Sequence, residues 1–141
     1  MARLKVAGID HVVLRTRKID EVLRLYRDVL DLPVERTIEQ IGLYQLRAGS
    51  SLVDVIDSNV WTVSEAGPNE SFYDHFCLAI SADRPEDVVA HLDAAGVPHG
   101  DPEQRYGATG NGTSIYATDP DGRVVELKIT GRLSDGAAAA D

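Results

Sequence analysis

Apolar and polar positions alternate with a period of two from Ile9 to Arg15, placing Ile9, His11, Val13 and Arg15 on one face and Val12 and Leu14 on the other. The period then lengthens. Over Ile19–Leu30, the residues Ile19, Val22, Leu23, Tyr26 and Leu30 form one apolar stripe with charges opposite, which predicts an amphipathic helix ending before Pro33. Short strands are expected near Pro33–Thr37, Gly42–Leu46 and Ser51–Ile56, with Gly49-Ser50 turning between the last two. The same order then returns. An alternating run, Tyr73–Ile80, precedes a helix over Pro85–Ala95 whose stripe is Val88, Val89, Leu92 and Ala95 and whose stop is Gly96. Strands are expected near Val97–Gly100, Thr113–Thr118 and Arg123–Thr130. Asp119-Pro120-Asp121-Gly122 is a hairpin-turn signal, because Pro presets φ and Gly accepts a positive one.

This pattern is βαβββ stated twice, an α+β fold of paired modules whose small mixed sheets curl around a cleft with helices outside. Module one runs from about 5 to 57 and module two from about 72 to 130. A Ser-, Asn-, Glu-, Gly- and Pro-rich connection over about 58–71 joins them, and 131–141, ending in an alanine run, reads as a frayed tail.

Each module opens on a histidine and closes on an acid. Ile9-Asp10-His11 matches Tyr73-Asp74-His75, and Asp54 within Leu52–Ile56 matches Glu126 within Val124–Ile129. A carboxylate among Val, Leu and Ile carries a desolvation cost on the order of several kcal/mol unless it is paired or bound to a cation. One such acid is readily explained as a solvent-facing side chain on a half-exposed sheet. Two acids and two imidazoles in repeat register instead point to a divalent metal: Mn, Fe(II), Co, Ni or Zn. His11, His75 and Glu126 alone make a two-His-one-carboxylate set suited to non-haem Fe(II). Asp54 is then either a fourth ligand or a general base.

Composition narrows the class. The chain has 141 residues, enough for one compact domain, with 43% hydrophobic and 26% charged residues. A net charge of −9 without a basic patch argues against nucleic acid as a partner. No apolar stretch approaches the roughly 18 residues of a membrane span. Residues Met1–Lys5 do not begin a signal-peptide core, and the single cysteine, Cys77, forbids an internal disulfide. Cytoplasmic residence is the expectation.

Other residues are secondary candidates. Arg15, four after His11, is an anion anchor or a solvated strand end. Gly107-Ala108-Thr109-Gly110-Asn111-Gly112 reads as a mobile loop over the site, with Arg105 and Tyr106 as substrate contacts. Tyr44 and Tyr116 face either the cleft or the core. His91 and His99 are expected to be exposed, and Cys77 to be a small buried hydrophobe.

Ile9-Asp10-His11, the helix end Leu25–Leu32, and Ser114–Leu127 with its Asp-Pro-Asp-Gly turn resemble the vicinal oxygen chelate superfamily, the glyoxalase I, bleomycin-resistance and extradiol dioxygenase group. The resemblance covers about Lys5–Thr130. It implies ligands from the first and last strands of each module, which land on His11, Asp54, His75 and Glu126, and a homodimer acting on a small substrate held through two oxygens. Asp54 stands where the glyoxalase I pattern has Glu, and Asn59 and Trp61 follow at a wider spacing than in that pattern. Arg15 matches an arginine that in glyoxalase I contacts the glutathione carboxylate. The expected activity is metal-dependent glyoxalase-type lyase or isomerase chemistry, with Asp54 and Glu126 as catalytic acids or bases. An Fe(II) extradiol-type dioxygenase is the alternative from another reaction class. A metal-free protein that sequesters a drug or metabolite is the alternative outside catalysis.

Overall fold

The computed structural model describes residues 8–61 and 75–133. The chain forms two compact units divided between residues 65 and 66. Most of the expected connection (62–71), Tyr73 and Asp74, and the tail from 134 onward lie outside the described residues.

In the first unit, β1 (His11–Thr16) leads into α1 (Ile19–Leu23), then β2 (Val34–Ile38), β3 (Leu43–Ala48) and β4 (Ser51–Asp57). The sheet order is β1-β4-β3-β2, with β1 and β4 parallel and the rest antiparallel. The predicted helix is present, but it widens to a π-helix over Arg24–Val29, where the Leu30 amide bonds the Leu25 carbonyl at 2.8 Å. Leu25 is buried beside Val22, Leu23 and Tyr26, whereas Leu30, which the stripe placed with them, is only half-buried. Asp31 ends the helix in the left-handed region at φ 60°, which a short polar side chain tolerates.

The second unit contains β5 (His75–Ser81), α2 (Pro85–Ala94), β6 (Glu103–Gly107), β7 (Gly110–Thr118) and β8 (Val124–Gly131), with sheet order β5-β8-β7-β6. Pro85 starts α2, Glu86 and Asp87 complement its N-terminal dipole, and Gly96 follows it at φ 70°. α2 lies on β7. Its Val88 and Leu92 belong to a core with Ile115, Ala117, Val125 and Leu127. Burial of each such side chain is worth about 1.5–3 kcal/mol.

Two expectations in this half need correction. Val97–Gly100 forms no strand; only His99 bridges to Ala117. The glycine run is no open loop either. Gly107 pairs with Gly110, and residues 110–112 belong to β7, so the segment is a tight hairpin between β6 and β7.

The turn after β7 is built on Asp119, a buried carboxylate. Its Oδ1 accepts the amides of Asp121 and Arg123, both at 2.9 Å, and its Oδ2 accepts Arg123 Nε at 2.9 Å. Gly122 supplies the positive φ of 83°. This clamp fixes the register of β8 and with it the position of Glu126.

Candidate functional site

Strand alternation sorts each sheet into an apolar face under the helix and a polar face opposite. In the first unit the polar face carries His11, Val13 and Arg15 on β1 and Asp54 on β4, with Val13 directly beside Asp54. Asp54 is only 5% exposed. Its partner is Gln45 on β3, whose Nε2 donates to both carboxylate oxygens at 3.3 and 3.2 Å. His11 is held through Nδ1 by Asp10 at 2.8 Å. Hydrogen bonding to Asp10 raises the His11 pKa, desolvation opposes it, and the Asp54 charge adds to the rise. A histidine whose Nδ1 proton is given to a carboxylate presents its Nε2 lone pair outward, as metal-ligating histidines do. Arg15 lies on the same face, with its guanidinium 5.4 Å from the centre of the Trp61 ring.

The second unit repeats this arrangement with different neighbours. His75 Nε2 stands 3.1 Å from Glu126 Oε1, and Ser114 on β7 donates to Glu126 Oε2 at 2.6 Å. Burial pushes the Glu126 carboxyl up, but hydrogen bonds from Ser114, Tyr116 and His75 outweigh it and hold the pKa below the usual value. The Tyr116 ring meets the His75 ring edge-on at 5.4 Å. Arg105 on β6 donates from Nε to the Tyr116 hydroxyl at 3.1 Å, and Glu103 accepts from Arg105 Nη2 at 2.9 Å. A chain of contacts therefore runs Glu103, Arg105, Tyr116, Glu126, His75.

The expected site residues separate as follows. His75, Glu126, Tyr116 and Arg105 are joined on one face, and His11, Asp54 and Arg15 share the matching face of the other unit. Tyr106 points elsewhere: it alternates with Arg105 along β6 and is 81% exposed, so it does not join them. Tyr44 sits opposite Val55, on the helix side of its sheet. Cys77 is exposed rather than buried, directly beside Glu126. Desolvation around the thiol, followed by the Glu126 charge, pushes its pKa up to about 11, so it is no thiolate nucleophile at neutral pH. His99 is largely enclosed, contacting Asp93 at 2.6 Å, while His91 is exposed as expected. Among the described residues, no three His, Cys, Asp or Glu side chains converge as a ready metal cluster.

Gln45 and Ser114 carry no signal of their role in the sequence. Both act across strands on an acid, and only the sheet register reveals such a pairing.

Residues 8–127 match the Glyoxalase/Bleomycin resistance protein/Dioxygenase superfamily. The chain belongs to that superfamily. Within it, the chain is 30% identical over 120 residues to virulence protein STM3117 of Salmonella typhimurium, covering 84% of this chain and 81% of that protein. The crystal structure of STM3117 covers 89% of this chain and 98% of its own, with a TM-score of 0.72 and 28% identity. An integron cassette protein of Vibrio cholerae is 25% identical with a TM-score of 0.70, covering 91% of this chain and 98% of its own. Lactoylglutathione lyase from Agrobacterium tumefaciens shares the superfamily fold at a TM-score of 0.62 and 19% identity, covering 88% of this chain and 94% of its own. Among the described residues, no helix is long and apolar enough to cross a membrane.

Proposed function

We propose that this superfamily member is a divalent-metal-dependent enzyme of the glyoxalase type, acting by Lewis-acid and acid/base chemistry on a small oxygen-rich substrate. The ligands in this reading are His11, His75 and Glu126, with Asp54 as fourth ligand or base, and the working form is a homodimer. The observation that carries it is the His75–Glu126 pair. Its imidazole nitrogen and carboxylate oxygen stand 3.1 Å apart across adjacent strands, and these are the two donor types that would hold such an ion. The donor chemistry fits as well, since imidazole and carboxylate suit Mn, Fe, Co, Ni and Zn.

Bound there, such an ion supplies Lewis acidity that polarises substrate oxygens. The protein's own contribution is positional and electrostatic. Ser114 and Tyr116 hold Glu126 ionised, so it is charged at neutral pH. Asp10 orients the His11 ring. Gln45 holds Asp54 with both oxygens occupied, and releasing one of them leaves a carboxylate able to take a proton from a carbon or oxygen acid.

That grip by Gln45 also favours a second reading. If Asp54 stays with Gln45, His11, His75 and Glu126 would be the donors left to hold a metal, a two-His-one-carboxylate set that suits Fe(II) and oxygen chemistry on a catechol-like substrate.

Elemental analysis of protein purified without chelator, beside Glu126→Ala, tests both readings. About one transition metal per chain, lost in the variant, is the expected result, and iron rather than Mn, Ni, Co or Zn would select the dioxygenase. No metal after reconstitution would overturn both and leave a binding protein.

A further inference from the structure

Lys128 is a buried cation on the same face of β8 as Glu126, only 5% exposed. Its stem crosses β7 towards β6 along a channel made by missing side chains. A Cβ added at Gly112 would stand 3.0 Å from Lys128 Cε, and one at Gly107 would stand 3.2 Å from Nζ. The residues beside Lys128 in register are short: Ala79 on β5 and Ser114 on β7. Gly110, at φ 87°, turns its carbonyl onto the ammonium. The glycine run at 107–112 is therefore a cradle for a lysine.

This cradle leaves the ammonium incompletely satisfied. A lysine has three N–H donors, and among the described residues only the Gly110 carbonyl accepts one. No carboxylate among the described residues forms an ion pair with it. The negative charges of this face lie elsewhere: Glu126 is engaged by Ser114 and His75, and Glu103 by Arg105. A buried charge held by one neutral acceptor is costly. A methionine would fill the same channel without that cost, so packing alone does not explain the charge.

We infer that Lys128 in its glycine cradle is an anion-binding subsite that takes a carboxylate or phosphate group of the substrate. The inference rests on the proposed function for its setting. It deepens that reading by naming the substrate class: a small acid with chelating oxygens near His75 and Glu126 and an anionic group towards the β6–β7 hairpin. Lysine suits this task as a compact point charge that serves either anion.

The test uses the whole chain stripped of metal. Inorganic phosphate and malonate are titrated separately at constant ionic strength against chloride, following the Gly110 and Gly112 amides by NMR. Saturable shifts at these amides, at least tenfold weaker in affinity in K128M, are expected, and whichever anion saturates identifies the source chemistry. Equal affinity in K128M, or no saturation by either anion in the wild type, overturns the subsite. Should K128M fail to fold, the wild-type map decides: shifts centred on Gly110 and Gly112 support the subsite and shifts centred elsewhere refute it. Mn binding is measured in parallel and should be unchanged in K128M. Anion binding at the cradle in a chain that takes up no metal would remove the enzyme reading and leave the subsite standing.

Discussion

His75 Nε2 and Glu126 Oε1 face each other at 3.1 Å across adjacent parallel strands, within hydrogen-bond distance. The hydrogen bond needs a proton on Nε2, whereas holding a metal would need the lone pair of that nitrogen, so removing either partner should have different consequences with and without metal.

His75→Ala should lower metal occupancy at least tenfold, whereas His91→Ala, on the exposed side of α2, should leave it unchanged. Metal content by mass spectrometry of the two proteins, dialysed side by side, checks this. Equal occupancy would remove His75 from the site.

Ser114→Ala deletes the 2.6 Å hydrogen bond to Glu126 and should destabilise the metal-free protein by about 1–2 kcal/mol at neutral pH. The sign with pH follows from the lowered Glu126 pKa. Its stabilisation is present above the unfolded carboxyl pKa and disappears as pH falls through the folded value. In Ser114→Ala the folded value moves up, so acid unfolding should begin at higher pH. Urea titrations from pH 3 to 7 would reveal the displacement.

His99 behaves in the opposite sense. Both ring nitrogens meet acceptors, the Gly100 carbonyl at 2.8 Å and Asp93 at 2.6 Å, and these contacts raise its pKa, the Gly100 hydrogen bond most. The contribution is complete below the unfolded histidine pKa and is lost as pH rises through the folded one. Asp93→Asn should therefore lower the melting temperature at pH 5.5 and have little effect at pH 9. An equal loss at both pH values would show that the charge is irrelevant.

Asp119→Ala strands two backbone amides and the Arg123 guanidinium in the turn between β7 and β8. A loss of about 2–4 kcal/mol is expected. Chemical denaturation measures it, and a loss below 0.5 kcal/mol, on the order of an ordinary surface change, would contradict the clamp.

How much of this was legible beforehand depends on whether the physics is local. The helical stripe at Val22–Tyr26, the alternation around His11 and the Asp119–Gly122 turn depend on near neighbours, and each was readable. The repeat also put His11 with Asp54 and His75 with Glu126. What stayed hidden needed the sheet register. Nothing in the string places Gln45 against Asp54 or Ser114 against Glu126. The glycine run looked like a loop because glycine lowers strand propensity; its pairing and the lysine stem over it outweigh that preference. The π-helical widening over Arg24–Val29 is likewise a feature that no periodicity announces.

The parallel pairing of β5 with β8 brings together two donors that are 51 residues apart in the chain. Hairpins can form early and alone, but this pair closes a loop that contains α2, β6 and β7 and so carries a larger closure entropy. Any ligand that uses His75 and Glu126 together therefore binds the native unit and not its precursors, and adds to native stability by mass action. Cellular supply of that ligand would then govern how long each molecule survives proteolysis, making protein abundance itself a readout of occupancy.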